Sequence, residues 1–155
     1  MVIYMKAIET ALSLTQAYKS GIERFEKMLG NEFSKAVESM NNTSTHIIIC
    51  GMGKSGLVGR KISSTLASTG TPSIFLHPAE AIHGDLGKVQ KKSVVLLISY
   101  SGETGEIISL IPALKRLDVT IIGLTGVKKS TLSSKSDIVL DTSVDREACP
   151  LNLAP

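Results

Sequence analysis

Five short aliphatic runs, separated by segments with helical periodicity, limit what this chain can fold into more than any other feature. The runs are rich in Ile and Val and nearly continuous rather than alternating, as in strands that are covered on both faces. They read HIIIC (46–50), SIFL (73–76), VVLLIS (94–99), TIIGLT (120–125) and IVLDT (138–142). Helical patterns lie between them at 55–69, 103–117 and 130–135. This alternation predicts an open, five-stranded parallel sheet with right-handed crossovers, in a three-layer α/β/α sandwich.

The first 42 residues are predicted to form a helical arm. Large apolar residues recur there at spacings of three or four, which places them on one face of a helix: Ile22, Phe25, Leu29, Phe33, Val37 and Met40. Gly30 and Asn31 are weak helix formers, so we expect a kink or a break at that point. Pro112 likewise predicts a kink or a local irregularity in the helix at 103–117. The predicted organisation is an arm at 1–42 and one α/β domain at 43–155.

Composition and charge exclude several classes of protein. The 155 residues are 43% hydrophobic and only 4% aromatic, which suits an aliphatic core around a parallel sheet. The net charge of +3 comes without a dense Lys/Arg run, so we expect no nucleic-acid partner. No apolar stretch approaches the roughly 18 residues of a membrane helix, and no signal pattern opens the chain, so we expect a cytoplasmic protein. Cys50 and Cys149 indicate small hydrophobic residues rather than a disulfide framework or nucleophiles.

The string GMGKSG at 51–56, which we call the glycine turn, follows the first predicted strand. A Walker A loop requires a glycine where this chain has Ile48, so that interpretation fails. A dinucleotide site requires an acidic residue at the end of the second strand. There the chain has His77 at the strand tip and Glu80 beyond a proline, which leaves a dinucleotide possible in principle but unsupported.

A simpler interpretation of the glycine turn is an anion site. Glycines let backbone amides face a ligand, and the N-terminus of the following helix favours negative charge. Lys54 adds a positive charge and Ser55 a hydroxyl, so a small phosphorylated molecule would fit. A tight strand-to-helix turn without a ligand would also explain the three glycines, Gly51, Gly53 and Gly56.

The string SYSGET at 99–104, which we call the hydroxyl turn, ends the third predicted strand and precedes a helix. Ser99, Ser101 and Thr104 supply three hydroxyls around Gly102, beside the unpaired amides of a helix start. Ordinary helix capping needs only one such hydroxyl. The set is suited to hold a phosphate without a metal ion.

The strand order decides whether the two turns meet. In the flavodoxin-like order 2-1-3-4-5, ligands bind at the carboxyl ends of strands one and three, where the winding reverses. The glycine turn follows strand one and the hydroxyl turn follows strand three. We therefore expect both turns to face one crevice and to share one small anionic ligand.

These motifs resemble a known family. The SxSGET string after a strand is similar to the signature of sugar isomerase (SIS) domains, a phosphosugar-binding fold. The strings GMGKSG, STGTPSIFLHPAEAIHGDLG and REACPLNLAP resemble arabinose-5-phosphate isomerases in particular, and the resemblance runs from about residue 10 to the last residue. It implies interconversion of ribulose 5-phosphate and arabinose 5-phosphate through an enediol, the first step toward Kdo in lipopolysaccharide synthesis. It also implies a homodimer or homotetramer, with no cofactor and no required metal.

The resemblance also implies site residues. Those matching phosphate ligands are Ser99, Ser101 and Thr104, with Ser55 contributing; those matching the isomerisation machinery are Lys54, Glu106 and Glu147. His83 matches a histidine that lines the site and, in relatives, also binds an inhibitory metal. Taken without the family, Glu106 would be a stabilising residue of a helix's first turn, Glu147 a solvated charge and His83 a turn residue.

Two departures from the family accompany the resemblance. Relatives continue into a helix that supplies a histidine to the neighbouring subunit, and many carry CBS regulatory domains; we expect this chain to lack both. Tyr100 stands where relatives often have Asn, which we expect to alter the pocket without abolishing it. Two alternatives stay open: a different phosphosugar isomerase, and a non-catalytic sensor of a sugar phosphate or a nucleotide-activated sugar.

Overall fold

The structure, a computed structural model, describes the backbone of residues 2–151 and the side chains of residues 6–151. The last four residues of the EACPLNLAP string therefore lie outside the described residues. The chain divides into two compact units, a smaller one from 1–29 and 143–155 and a larger one, Gly30–Thr142. No helix among the described residues has both the length and the apolar character needed to cross a membrane.

The smaller unit consists of one long helix and a segment held to it by arginines. Helix α1 spans Val2–Met28. Arg24 of α1 donates hydrogen bonds to the Ser143 hydroxyl and pairs with the Asp145 carboxylate at 2.9 Å. In the other direction, Arg146 donates to the carbonyl and the hydroxyl of Ser13, each at 2.8 Å. These contacts fix the segment from Ser143 to Arg146 along the helix.

The larger unit is built on a five-stranded parallel sheet. Its strands are β1 Ile47–Gly51, β2 Ser73–Leu76, β3 Val94–Ile98, β4 Thr120–Thr125 and β5 Ile138–Asp141, in the order β2-β1-β3-β4-β5. The predicted sheet and its flavodoxin-like order are confirmed. The strands form where predicted because their aliphatic runs suit a covered sheet: β1 and β3 are fully buried, whereas the edge strands β2 and β5 are mostly half-buried.

Five α-helices and one 3₁₀ turn complete the larger unit: α2 Asn31–Asn42, α3 Gly53–Ser68, α4 Pro78–Ile82, the 3₁₀ turn Asp85–Lys88, α5 Gly105–Arg116 and α6 Thr131–Lys135. The break expected at Gly30 and Asn31 is present, because α1 ends at Met28 and α2 begins at Asn31. Helix α5 continues through Pro112 as one element, although the proline has no N–H to donate to the Ile108 carbonyl.

The core forms two layers of side chains, one on each face of the sheet. Alternate residues of β3 show this division: Val95 and Leu97 pack with α5, whereas Leu96 and Ile98 pack in the layer that holds Ala36 of α2. The first layer also contains residues of α4 and α6, and side chains of α3 border the second. Helices thus cover both faces, and the predicted three-layer α/β/α sandwich is confirmed.

Two of the three glycines of the glycine turn are required by packing. A Cβ on Gly56 would lie 2.6 Å from the Gly51 carbonyl oxygen, and one on Gly51 would lie 2.9 Å from the Ser55 carbonyl oxygen. The start of α3 therefore rests directly on the end of β1, with no room for a side chain between them. Gly53 is needed for a different reason, because its φ of +55° is costly for any residue with a Cβ.

We predict that Gly56→Ala destabilises the larger unit. The added methyl group meets backbone atoms that cannot rotate away, so we expect a loss of about 2–3 kcal/mol in the free energy of unfolding. Gly87→Ala is the matched control, because a Cβ there meets nothing within 4 Å. Urea unfolding measures both variants. Equal stabilities for the two would contradict the close approach of α3 to β1.

Candidate functional site

The glycine turn and the hydroxyl turn leave the sheet side by side. Strands β1 and β3 are neighbours and run parallel, with Gly51 paired to Ile98 at their carboxyl ends. Adjacent strands lie about 4.8 Å apart, so Met52 and Ser99 start from neighbouring points of one edge. Helix α3 then packs on one face of the sheet and α5 on the other, so this edge is the point where the winding reverses.

The glycine turn presents the uncapped start of α3. Its N-cap residue, Met52, makes no side-chain cap hydrogen bond, and the amide of Gly56 is the donor to the Met52 carbonyl at 3.2 Å. The first amides of a helix have no carbonyl partner within the helix, so they are available to an anion. Lys54 is exposed and Ser55 is half-buried in this first turn.

In the hydroxyl turn, the three hydroxyls are in different environments. Ser99 is buried, its oxygen accepts the amide of Gly102 at 3.1 Å, and it shares a 2.8 Å hydrogen bond with the Thr104 hydroxyl. Ser101 is exposed, and its oxygen accepts the amide of Glu103 at 3.2 Å, which leaves its O–H free to donate. The resemblance implies that all three are phosphate ligands, and that stays a prediction. In the structure Ser101 is exposed and Thr104 half-buried, whereas Ser99 is buried and bonded within the turn.

Neighbouring elements hold the backbone of the hydroxyl turn. The Tyr100 carbonyl accepts the Thr125 hydroxyl at 3.0 Å and the Gly126 amide at 2.9 Å, both at the end of β4. The Tyr100 ring lies directly on Gly126, where a Cβ would come within 2.3 Å of it. Gly102, with φ +66°, packs against Ser130 and Thr125 so closely that a Cβ would lie 2.1 Å from the Ser130 oxygen. Tyr100 thus occupies the β4 side of the turn.

Glu103 ties the hydroxyl turn to α6 through its side chain. Its carboxylate accepts the amide of Thr131, the first residue of α6, at 2.6 Å. Hydrogen bonds from the backbone and the side chain of Thr131 lower the pKa of Glu103 below its usual value, so the carboxylate is ionised at neutral pH.

Of the residues expected to do the chemistry, three belong to the larger unit and one, Glu147, belongs to the smaller unit. Lys54 and Glu106 are both exposed, in the first turns of α3 and α5 at the carboxyl edge of the sheet. Within the described residues, neither side chain has a hydrogen bond or an ion pair. His83 is exposed at the end of α4, a helix that packs against α5. Glu147 belongs to the smaller unit, where it is half-buried and follows Arg146.

Nothing in the sequence indicated that a ring nitrogen of His77 is buried at the edge of the site. This residue directly follows β2 and is the N-cap residue of α4, and its Nδ1 is buried with no hydrogen-bond partner among the described residues. Burial also raises the pKa of the Cys50 thiol to about 12, so it stays protonated at neutral pH and is no nucleophile. No group of three His, Cys, Asp or Glu side chains that could hold a metal is found among the described residues.

Comparisons with known proteins agree with this geometry. The model of the SIS domain family matches residues 40–155. The chain is 50% identical over 137 residues to arabinose 5-phosphate isomerase KdsD of Pseudomonas aeruginosa, which covers 88% of this chain and 42% of that protein. It is 45% identical over 152 residues to a probable arabinose 5-phosphate isomerase of Haemophilus influenzae, with 98% of this chain and 44% of that protein covered.

A solved structure extends the comparison to three dimensions. Protein c3406 of Escherichia coli CFT073, in complex with arabinose 5-phosphate, superposes with a TM-score of 0.83 at 36% identity, over 99% of this chain and 80% of that one. Both resemblances drawn from the sequence are confirmed by these matches. The chain spans less than half the length of the two curated relatives.

We predict that Ser101→Ala weakens the binding of inorganic phosphate. The substitution removes the exposed serine hydroxyl of the hydroxyl turn, and a hydrogen bond to a charged group contributes about 1.5 kcal/mol or more, so we expect at least a tenfold rise in the dissociation constant. Ser68→Ala is the control, because that exposed hydroxyl lies at the far end of α3. Titration followed by phosphorus NMR measures both. A Ser101→Ala curve identical to wild type would remove Ser101 from the ligand set.

Proposed function

The chain belongs to the SIS domain family, and on that premise we propose that it is an arabinose-5-phosphate isomerase, interconverting ribulose 5-phosphate and arabinose 5-phosphate. The observation that carries the proposal is the pairing of Gly51 with Ile98. Because of this pairing, the glycine turn and the hydroxyl turn, both suited to bind an anion, begin side by side at one edge of the sheet. The names of the 45–50% identical relatives and the sugar phosphate bound to the structural neighbour supply the substrate.

In this proposal the phosphate of the sugar binds between the two turns. The uncapped amides at the start of α3 and the hydroxyls of Ser55, Ser101 and Thr104 are its donors, while Ser99 keeps the hydroxyl turn in shape. These groups hold the end of the substrate that does not react. Fixing that end orients the carbonyl carbon and its neighbour, and such positioning lowers the barrier without a metal or a redox step.

The reaction moves one proton between two adjacent carbons. In the aldose-to-ketose direction, a carboxylate removes the proton from C2 while the C1 carbonyl oxygen gains a proton, which gives an enediol. The C2 hydroxyl then loses its proton and becomes the carbonyl as the carboxylic acid returns its proton to C1. Glu106 and Glu147 are the two candidates for this base. Glu106 is exposed at the site edge without a partner in the described part of the chain, whereas Glu147 comes from the smaller unit.

Negative charge develops on the carbonyl oxygen as the proton leaves. A cation or a hydrogen-bond donor that is already in position stabilises this oxygen in the transition state. Lys54 is the candidate at the start of α3, and His83 is the candidate on the α4 side of the crevice. His83 is also the residue expected to contact an inhibitory metal.

The wider setting of the proposed enzyme follows its relatives. The product would feed Kdo synthesis for lipopolysaccharide, in the cytoplasm. Self-association as a dimer or tetramer is supported by α1, which keeps several large apolar side chains more than 40% exposed, namely Ile8, Leu12, Tyr18, Ile22 and Phe25. A contiguous exposed apolar stripe on a helix is typical of a protein–protein contact.

The direct test is turnover of ribulose 5-phosphate by this chain. We expect arabinose 5-phosphate to appear and, in deuterated water, to carry deuterium at C2, because the proton removed from C1 of ribulose 5-phosphate can exchange with solvent at the enediol stage before a proton is added at C2. Hexulose 6-phosphate is the comparison substrate, and we expect little turnover of it. Preferred turnover of the hexulose would replace the proposed activity with that of another phosphosugar isomerase, and binding without any turnover would identify a sensor.

We predict that Glu147→Gln abolishes turnover and leaves arabinose 5-phosphate binding within about twofold of wild type. The amide keeps the size of the side chain but cannot accept the proton, and loss of a general base typically costs a factor of about 100–10,000 in rate. Glu23→Gln is the matched control, an exposed carboxylate of the same unit. Unchanged activity in Glu147→Gln would leave Glu106 as the base.

A further inference from the structure

The hydroxyl turn is bonded to two neighbouring elements. Ser99 and Tyr100 are bonded through their backbones to the end of β4, and Gly102 and Glu103 are bonded to the start of α6. The Ser101 hydroxyl takes part in none of these bonds, since its oxygen accepts the Glu103 amide within the turn. The turn is therefore held on β4 and α6 while the side chain of Ser101 stays exposed.

Two consecutive amides of α6 donate hydrogen bonds to two consecutive residues of the turn. The Thr131 amide donates to the Glu103 carboxylate at 2.6 Å, and the Leu132 amide donates to the Gly102 carbonyl at 3.0 Å. The side-chain oxygen of Ser130, the N-cap residue of the helix, accepts the Ser133 amide. The first amide of α6 thus depends on Glu103, and a carboxylate is favourable at that end of a helix.

We propose that Glu103 is a positioning residue for phosphosugar binding, acting by holding the hydroxyl turn against the start of α6. The identity of the ligand in this inference rests on the proposed function. The contact between Glu103 and α6 is observed independently of that function. The Glu103 carboxylate is bonded to the amide of Thr131, 28 positions along the chain, so in this proposal it acts on the ligand through the backbone it holds.

The mechanism of this positioning is conformational. Gly102 sits at φ +66° between the Ser101 hydroxyl and Glu103, and the Ser101 oxygen already accepts the Glu103 amide. If loss of the α6 contact lets the backbone of Glu103 move, the hydrogen bond between its amide and Ser101 is therefore disturbed as well. With the contact intact, the turn is ordered before the phosphate arrives, and binding does not have to supply the free energy of ordering it.

The experiment removes the contact from each side. Glu103→Ala removes the acceptor. Thr131→Pro removes the donor, and proline is well tolerated at the first position of a helix, where it follows the extended Ser130. We expect each variant to raise the dissociation constant of inorganic phosphate and the KM for arabinose 5-phosphate about fivefold, with kcat within twofold, and the double variant to lose no more than either single one.

Three controls separate positioning from general damage. Glu103→Gln keeps an acceptor oxygen and should recover at least half of the lost affinity. Thr131→Ala keeps the amide and should have a smaller effect than Thr131→Pro. Glu38→Ala removes an exposed carboxylate of α2 and should leave all constants unchanged. The Gly102 and Leu132 amides should exchange their hydrogens faster in Glu103→Ala than in wild type. In Glu38→Ala their exchange rates should be unchanged.

The outcomes distinguish this inference from the proposed function. Wild-type phosphate affinity in Glu103→Ala and Thr131→Pro, or equal losses in Thr131→Ala and Thr131→Pro, would overturn the positioning role even in an active isomerase. A wild-type chain that binds phosphate but does not turn over ribulose 5-phosphate would remove the proposed activity. The role of Glu103 would then stand on the phosphate affinities and the exchange rates.

Discussion

The parallel pairing of β1 with β3 is the constraint on which the rest of the site depends. Strand β1 lies between β2 and β3, and the chain leaves it through Gly51, opposite Ile98. Helix α3 can start immediately there because Gly51 and Gly56 let helix and strand backbones touch. The winding reverses between these two strands, so α3 and α5 depart to opposite faces. The edge between their first turns is then left open to a ligand by topology alone.

Much of the fold was predictable from the sequence, for a physical reason. A strand covered on both faces has to be apolar on both, so its sequence is a continuous aliphatic run that stands out from helical periodicity. The five strands followed from that signal, whereas their order was taken from the flavodoxin-like arrangement and is confirmed by the structure. Helix α4 and the 3₁₀ turn after it did not, because Pro78–Ile82 and Asp85–Lys88 are too short to show a period.

The candidate site was predictable in its residue types but not in its contacts. The hydroxyls of the SYSGET string could be counted from the sequence, whereas the burial of Ser99 and the exposure of Ser101 depend on how the turn packs on β4. The partner of Glu103 lies 28 residues away and is a backbone amide, which carries no side-chain signature. Contacts of that kind become visible only when the strand order brings the loops after β3 and β4 together.

The glycine pattern shows why a fingerprint alone does not name a ligand. Gly51 and Gly56 are there because a helix touches a strand, and Gly53 because the backbone turns through a positive φ. Any fold that starts a helix directly beyond a central parallel strand meets the same demand, whatever it binds. The ligand class is decided by what stands across the crevice. In a dinucleotide site that would be an acidic residue at the end of β2; in this chain His77 stands there, and the hydroxyls that would join the α3 amides around a phosphate lie beyond β3.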